Sequence, residues 1–497
     1  MQTRVMRLLV PPTSGLTPHS AARAYLTGPD SLPWPSHARL EPGMLVVERT
    51  GTDSVKLNMP WWIEDHGDVV LTTGSLIQRD KPFQLAVELA RGKVNQVRNQ
   101  CAEWQAIGLS VGRKVETAIR HAMAYMVDAA TSQHDIHAAA ERAEKAIAAA
   151  MKAGELLVDT YVEQAIAVRL RNVSRLPVGF CVHLGSASEN ALAVSLVEDI
   201  FSTASVPLDW RAIEPERGRR DYTACDARFD WCEARGLKIQ SGPLLRCDDL
   251  GLPEWVAHSA IDFRDLIEMA ARHVSQVIDR YRGRVASWVC AARFNSHAYA
   301  GLTEEQRLQL VVRAFEIAHQ MDPGTPAVMR LDQPWGEYLR KSTVDLSPMQ
   351  ITDGMMRAGL PMRAIALEIN MGYDHGGTAL RDRIEFSRLL DNWSYLGLPL
   401  QLTLSTPSES LHDAMALGHV RCDPLAPRFW TRERQEDWVE RYALVALTKP
   451  FVQSIVWNQL TDEGPHEFPH AGLLDDLGHP KPALTKLAEL RERYLAS

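Results

Sequence analysis

Polar and charged side chains that could bind a ligand or move a proton recur directly after short apolar segments of this chain. Carboxyl groups can donate and accept protons, and an arginine guanidinium can hold an anionic group with two parallel hydrogen bonds. Such residues also occur as solvated loop groups and salt bridges, so the whole set carries more weight than any single member. The set comprises Asp209, Arg246, Asp248, Asp249, Arg293, Asn295, His297, Trp335, Glu337, Glu368, Asn370, Trp457, Asn458, His466 and His470.

The sequence gives little support to metal, phosphate or serine-nucleophile chemistry. His466 and His470 are four residues apart, but Pro465 and Pro469 argue against one helix presenting both rings to a zinc ion. The glycine-rich segment 372–377 lacks the lysine of a phosphate-binding loop. No G-x-S-x-G motif is present in the chain. The sequence therefore predicts no cofactor.

Eight alternations of an apolar strand and a helical segment position these side chains. Eight such units over about 320 residues predict an α/β fold, a (β/α)8 barrel, with any site at the C-terminal ends of the strands. Glu368 and Asn370 lie two apart in one strand and therefore point to the same side. The predicted strands are 178–184, 203–208, 237–245, 285–291, 327–331, 364–369, 400–405 and 451–457. The predicted helices are 192–200, 224–234, 263–282, 304–320, 349–358, 380–396, 435–447 and 482–495.

Two regions of different character precede the barrel, which is assigned to residues 176–497. Residues 1–85 contain short apolar runs between Pro, Gly, Asp and Ser clusters, which predicts a small β-sandwich. Its Trp61-Trp62 pair could form a sugar-stacking platform, as in a carbohydrate-binding module, or could fill the core and cover an edge. Residues 86–175 have helical periodicity and an alanine-rich stretch, which predicts a helical hairpin or bundle. It could serve as a strut within the chain or as an oligomerisation surface.

Composition excludes some functional classes. The net charge of −8 provides no general basic surface for nucleic acid or anionic lipid. The seven cysteines show no CxxC spacing, which suits a reducing compartment. The first eleven residues are too short in apolar length for a signal peptide, and no transmembrane run follows. These features predict a cytoplasmic protein.

Several short motifs between residues 178 and 495 stand out. Trp210 is followed by Ile213-Glu214-Pro215, and Leu252-Pro253-x-Trp255 occurs further on. These motifs resemble glycoside hydrolase family 10, the xylanase-type (β/α)8 barrels. Near the C-terminus, Ile455-Val456-Trp457 resembles the family's eighth strand with its cleft tryptophan. The other matching motifs are Gly218, Gly236-Leu237-Lys238, the segment 281–285 with Trp288, the segment 472–475 and the segment 480–483. The resemblance implies a carbohydrate-active barrel.

The chain departs from that family at its catalytic positions. Retaining glycosidases need two carboxyl groups about 5 Å apart, and family 10 places them in an Asn-Glu pair and a Thr-Glu pair. The resemblance aligns these pairs with Ala292-Arg293 and Thr403-Leu404, so both glutamates are replaced. An arginine with a pKa above about 12 cannot act as a general acid at neutral pH. The standard retaining mechanism is therefore predicted to be absent.

The family's sugar-gripping residues are also replaced. Its second-strand Glu-Asn-Glu and lysine fall on the segment 205–207 and on Asp209. Its third-strand histidine and tryptophan fall on Gly242 and Arg246, and its sixth-strand Gln-x-His becomes Glu368-Ile369-Asn370. An ordinary xylanase is therefore not expected.

Three hypotheses remain open from the sequence. The barrel could process glycosides with relocated carboxylates, for which Glu337 and Glu368 are the candidate catalytic residues; Asp209 and Asp248 are further carboxylates at the mouth. It could instead be a non-catalytic carbohydrate-binding pseudoenzyme or an assembly scaffold. A free Arg293 or Arg246 in a recessed site would favour an acidic glycan. The alternative is internal ion pairing, of Arg293 with Glu368 or Asp209 and of Arg246 with Asp248.

Overall fold

The computed structural model describes residues 3–12, 14–29, 31–51, 53–187, 196–248, 250–257, 261–296, 301–341, 345–374, 376–421 and 428–495. Asp249 and His297 lie outside the described residues. Within those ranges, no helix has the length and apolar character needed to cross a membrane.

Two small sheets form the N-terminal region, which confirms the predicted β-rich character of this part of the chain. One has the strand order β4-β5-β1-β8 and the other β3-β2-β6-β7. Trp61 on β6 is 3 % exposed and donates from Nε1 to Glu144 Oε1 at 3.1 Å, so it is not available as a sugar platform. The strands are β1 (Thr3–Leu9), β2 (Tyr25–Thr27), β3 (Pro33–Trp34), β4 (Ser36–Glu41), β5 (Met44–Thr50), β6 (Lys56–Ile63), β7 (Gly67–Thr72) and β8 (Phe83–Gln84), with the short helix α1 (Pro18–Ala21) after β1.

Three long helices follow: α2 (Leu85–Ala106), α3 (Arg113–Thr131) and α4 (Ile136–Arg169). Alanines at 139, 143, 146, 150 and 153 are buried on α4, and small side chains let neighbouring helices approach closely. Trp104 of α2 stacks on Tyr161 of α4 with ring centroids 4.0 Å apart. The apolar face of α4 is therefore covered by helices of the same chain. The division of the chain at 85/86 and 175/176 remains a prediction.

A closed parallel sheet forms the rest of the chain, which confirms the predicted (β/α)8 barrel. Its strand order is β11-β10-β9-β17-β16-β15-β14-β13-β12, and pairing of β11 with β13 closes it. β11 and β12 together occupy the third of the eight positions. The strands are β9 (Gly179–His183), β10 (Thr203–Val206), β11 (Lys238–Ser241), β12 (Leu245–Arg246), β13 (Ser287–Ala292), β14 (Ala327–Asp332), β15 (Ala364–Asn370), β16 (Leu400–Ser405) and β17 (Val452–Trp457).

Helices surround this barrel at the predicted places, with bounds that differ from the predicted ones by a few residues at most ends. Strands with helices outside and packed side chains inside are buried on both faces, which is why β14 and β15 are buried at every position. The helices are α5 (Leu196–Ile200), α6 (Trp210–Ile213), α7 (Thr223–Ala234), α8 (Glu254–Ala257), α9 (Phe263–Tyr281), α10 (Glu304–Met321), α11 (Pro348–Arg357), α12 (Arg383–Ser394), α13 (Arg432–Leu447) and α14 (Pro482–Tyr494). Residues 192–195 of the first predicted barrel helix lie outside the described residues.

The segment Arg381-Asp382-Arg383 joins the barrel to both N-terminal regions, and we call its contacts the junction. Arg381 pairs with Glu337 and donates to the Tyr25 hydroxyl of β2 at 2.6 Å. Asp382 Oδ2 pairs with Lys93 Nζ of α2 at 2.8 Å, and Arg383 Nη1 pairs with Asp159 Oδ1 of α4 at 2.7 Å. The junction therefore fixes the N-terminal elements against the barrel through three buried cations, each beside a carboxylate.

Candidate functional site

A cavity of about 410 Å³ opens at the C-terminal ends of the barrel strands, and we call it the mouth cavity. Four arginines and four carboxylates line it in a ring that also includes amide, imidazole and aromatic groups. Barrel sites lie at this end because loops from all eight strands converge there. The principal lining residues are His183, Asp209, Asp221, Arg228, Arg246, Arg293, Arg330, Glu368, Asn458, His466, Glu467 and Phe468.

Arg293 follows β13 and lies at the centre of a cluster of carboxylates. It is 2 % exposed. Its Nη2 lies 2.5 Å from Glu368 Oε1 and 3.1 Å from Glu467 Oε1, and its Nη1 lies 3.8 Å from Asp332 Oδ2. These three negative charges compensate the guanidinium, so it has no free charge to offer a ligand.

Glu368 on β15 is held in its ionised form by the same cluster. Burial would raise the pKa of this carboxyl, but the charges of Arg293 and Arg330 and the hydrogen bond from Arg293 outweigh it and lower the pKa to about 2. Asn370 Nδ2 donates to Glu368 Oε1 at 2.9 Å, and Asn458 Nδ2 donates to the same oxygen at 3.4 Å. A carboxylate with this many donors is a poor proton donor at neutral pH.

Asp332 ends β14 beside Glu368, in register with it. Burial raises the pKa of Asp332 to about 6 against the opposing charge of Arg293, and the neighbouring charge of Glu368 adds to the rise. Asn295 holds this strand end, because its side chain donates to the Asp332 carbonyl at 2.8 Å and accepts from the Asp332 amide at 3.2 Å. The two neighbouring carboxyls therefore have pKa values shifted in opposite directions.

Arg246 is paired in the same manner as Arg293. Its Nε donates to Asp248 Oδ1 at 2.8 Å, and its Nη2 lies 2.7 Å from Asp248 Oδ2 and 2.8 Å from Glu467 Oε2. Glu467 thereby bridges Arg246 and Arg293. Internal ion pairing, one of the two alternatives left open by the sequence, is the arrangement in the structure.

Asp209 differs from the other carboxylates of the mouth cavity. Its Oδ1 is buried and makes no hydrogen bond with any described residue. Burial raises the pKa of Asp209, with the charge of Arg246 opposing the rise. Nearby, burial together with the charges of Arg330 and Arg246 lowers the pKa of His183 to about 3, so this imidazole is neutral at pH 7.

Three loops of the mouth contain non-glycine residues in the left-handed region of backbone conformation. The φ angle is +59° at Arg293, +46° at Gln333 and +55° at His470. Such conformations cost of order 1–3 kcal/mol each and persist only where the surroundings enforce them. They cluster at functional sites, which supports the mouth as the site of this molecule.

Comparison with known proteins agrees with this geometry. Residues 170–330 match the family model described as Glycosyl hydrolase family 10. The barrel is similar to those of family 10.

Two curated proteins and one solved structure that are similar to this chain are xylanases. Endo-1,4-beta-xylanase B of Humicola insolens is 32 % identical over 118 residues, which are 23 % of this chain and 31 % of the relative. Endo-1,4-beta-xylanase 2 of Claviceps purpurea is 29 % identical over 152 residues, 28 % of this chain and 45 % of the relative. The matches thus span less than half the length of these relatives. The structure of native xylanase 10B from Thermotoga maritima superimposes with a TM-score of 0.48 at 17 % identity, covering 64 % of this chain and 94 % of that one.

The family 10 resemblance aligns the second glutamate with Leu404, whose side chain faces away from the mouth cavity. Thr403 lies opposite Glu368 in register, and Ser405 Oγ donates to Asn370 Oδ1 at 2.6 Å. Leu404 lies between them and therefore points to the opposite face, where it packs in the main hydrophobic core. None of the residues of β16 carries a carboxylate.

The structure brings only part of the sequence-predicted set into the mouth cavity. Asp209, Arg246, Arg293, Glu368 and His466 line it. Asp248 and Asn370 lie behind this first layer and contact Arg246 and Glu368, respectively.

Glu337 and Trp335 lie elsewhere. Glu337 belongs to the junction, where it pairs with Arg381 and accepts from the Ala379 amide at 3.1 Å. The guanidinium carbon of Arg381 lies over the Trp335 ring, 5.3 Å from the ring centroid. Glu337 does not line the mouth cavity, so the structure does not bring it together with Glu368 as a working pair.

Three of the predicted ligand-binding residues make contacts that stabilise the fold around the mouth. Trp457 donates to the Ala471 carbonyl at 2.9 Å and packs edge-on against Trp438 of α13, outside the barrel strands. His470 and His466 both contact Asp413: His466 Nε2 lies 2.9 Å from Asp413 Oδ2, and the His470 amide donates to that oxygen at 3.2 Å. This contact fixes the loop that carries Glu467.

The candidate set predicted from the sequence does not include Asp332, Arg330, Arg228 or Glu467. Arg330 and Asp332 could have been found from the strand itself, because two charged residues spaced by two in the apolar segment Ala327–Asp332 must share one buried face. Glu467 had no such signal, since its loop has no periodic pattern.

Proposed function

We propose that the mouth cavity of this family 10-type barrel binds a carbohydrate without standard retaining hydrolysis. The match of residues 170–330 to glycosyl hydrolase family 10 supports a carbohydrate ligand. The absence of retaining hydrolysis is supported by the ion cluster of Arg293 with Glu368, Glu467 and Asp332. The family resemblance aligns Arg293 with the acid/base residue of family 10.

The chemistry of retention explains why this cluster matters. A retaining glycosidase needs one ionised carboxylate as nucleophile and one protonated carboxyl as acid, about 5 Å apart. Glu368 has its oxygens engaged by Arg293, and its pKa of about 2 keeps it ionised. Leu404 packs in the core instead of presenting a nucleophile. The two required roles therefore have no occupants at the family positions.

Glycoside processing with relocated carboxylates is the second candidate, and one observation favours it. Asp209 lines the mouth cavity, and its raised pKa and unpartnered Oδ1 are the properties of a general acid. Glu368 is the sequence-predicted catalytic residue that we retain as its partner, because Glu337 lies at the junction. In the binding proposal, Asp209 instead accepts hydrogen bonds from sugar hydroxyls.

The sequence also raises two expectations about partners, an acidic ligand and oligomerisation. An acidic ligand cannot be held by Arg246 or Arg293, because both guanidinium groups already contact carboxylates. If the ligand is acidic, another cation must bind it. Oligomerisation through the helical region stays a prediction, although the buried alanine face of α4 is already occupied by α2 and α3.

Calorimetric titration tests the binding proposal. The wild-type chain is titrated with a panel of neutral and charged oligosaccharides, beside Asp209→Asn and the matched surface variant Asp279→Asn on α9. We expect at least one glycan to bind wild type and Asp279→Asn equally, and to bind Asp209→Asn about tenfold or more weakly, because a buried charged hydrogen bond is lost. Failure of every glycan to bind the wild-type chain would contradict the proposal.

A further inference from the structure

Arg330 is a buried guanidinium without a hydrogen-bond or ion-pair partner among the described residues. It lies in the middle of β14 and is 5 % exposed. Among the described residues it makes no hydrogen bond and no ion pair within 4 Å, and its Nε is buried without an acceptor. Arg330 also lines the mouth cavity.

The surroundings of Arg330 explain why the fold does not compensate it. It lies two residues from Val328 on the same face of the strand, and Val328 belongs to a small apolar cluster with Val289, Ala364 and Ala366. Its register partner on β15 is Ala366, which offers no acceptor side chain. These two neighbours therefore offer the guanidinium no acceptor side chain.

The other arginines of the mouth cavity, unlike Arg330, contact acceptor groups of the chain. Arg293 and Arg246 each contact at least two carboxylate groups. Glu368, whose charge acts on Arg330, is itself bonded to Arg293. Among the described residues, Arg228, at the cavity wall, donates only to the Ala224 carbonyl at 3.1 Å. Glu368, Glu467 and Asp248 are thus bonded to Arg246 or Arg293, and none of them is bonded to Arg330.

Burial removes the hydration of an arginine, and without a bonded counter-charge this loss is not compensated. Such an arginine destabilises the folded state unless an anion binds it. We infer that Arg330 forms an anion subsite at the floor of the mouth cavity and binds the carboxylate of a uronic-acid residue in the glycan ligand. This inference rests on the proposed carbohydrate binding, and it assigns the acid group of the substrate to a residue that the sequence did not single out. The guanidinium fork matches a carboxylate with two parallel hydrogen bonds.

A matched pair of probes tests the inference. Uronic-acid oligosaccharides and their carboxyl-reduced counterparts have the same rings and linkages and differ only in the acid group. Both are titrated calorimetrically into the full wild-type chain, Arg330→Met and Arg313→Met. Arg313 lies on the exposed face of α10 and provides a control that removes the same formal charge away from the cavity.

We expect wild type and Arg313→Met to bind the acidic probe about tenfold or more tightly than the reduced one, and Arg330→Met to lose that preference. If Arg330→Met fails to fold, Arg330→Lys replaces it and retains a weaker preference, since an ammonium keeps the charge but not the fork. Equal affinity of the wild type for both probes, or a preference that survives in Arg330→Met, would overturn the subsite while leaving carbohydrate binding intact. Absence of binding by either probe, and by the wider glycan panel, would remove the proposed function and the subsite together.

Discussion

The barrel mouth and the junction are built from the same kind of contact, a buried cation beside a carboxylate, but the two regions use it to different extents. At the junction, Arg381, Lys93 and Arg383 each have a carboxylate within 4 Å. At the mouth, Arg293 and Arg246 are paired in the same way, yet Arg330 has no such partner among the described residues and Asp209 Oδ1 has no hydrogen-bond donor.

This difference separates structural charges from charges that await a ligand. The cavity beside the junction is larger, about 880 Å³ against about 410 Å³ at the mouth, so size alone does not favour the mouth. Paired ions hold two parts of a chain together, whereas a buried charge without an ion-pair partner among the described residues is costly unless a ligand binds it. This difference supports the proposed ligand site at the mouth.

The largest effect is expected from breaking a junction pair. Arg381→Met leaves Glu337 buried without its counter-charge, which should lower the free energy of unfolding by about 3–5 kcal/mol. Chemical denaturation of the variant and the wild type measures this. The exposed pair of Arg313 and Glu316 supplies the control, and Arg313→Met should change stability by no more than about 0.5 kcal/mol. A loss below about 1 kcal/mol in Arg381→Met would show that the junction is not held by its ion pairs.

A smaller effect is expected at the mouth from Glu368→Gln. The variant weakens the charged hydrogen bonds of Glu368 to Arg293 but leaves Glu467 beside that guanidinium, so we expect a loss of about 1.5–3 kcal/mol at pH 7. The folded pKa of Glu368, about 2, lies below its ordinary value of 4.5. The unfolded chain therefore binds this proton first as the pH falls, and the stability due to ionised Glu368 is present above pH 4.5 and lost towards pH 2.

Thermal melting across this range checks the pH dependence. The difference in stability between wild type and Glu368→Gln should shrink as the pH falls from 4.5 towards 2. Glu316→Gln, on the exposed face of α10, serves as the control for a general effect of removing a carboxylate. A difference that stays constant with pH would mean that Glu368 is not held ionised by Arg293.

The smallest effect, of opposite sign, is expected from Arg330→Met. Removing an unpaired buried charge should leave stability unchanged or raise it by about 1 kcal/mol. The same denaturation experiment used for Arg381→Met measures it, so the two buried arginines are compared directly. A loss as large as that of Arg381→Met would show that Arg330 is compensated within the fold and would remove the contrast between mouth and junction.

The barrel could be predicted from the sequence because its strands and helices alternate with strong apolar periodicity. The replacement of both family glutamates, by Arg293 and Leu404, stays a prediction from local motifs. What could not be predicted was which charged groups meet, because ion pairs such as Glu467 with Arg246 join residues more than two hundred positions apart. Glu337 shows the same limit: its position after β14 predicted a place at the mouth, but the short 3-10 helix Glu337–Lys341 turns it towards Arg381.

The absence of standard retaining hydrolysis is the central claim, and an assay of glycoside cleavage tests it most directly. Purified wild-type chain is incubated with xylan and with an aryl xyloside, and released sugars are measured beside Glu368→Gln and Asp209→Asn prepared in the same way. We predict no release by the wild type above that of the two variants, because the family resemblance aligns Arg293 and Leu404 with the acid and the nucleophile. Clear turnover by the wild type that is lost in either variant would contradict it and would identify a relocated catalytic carboxylate.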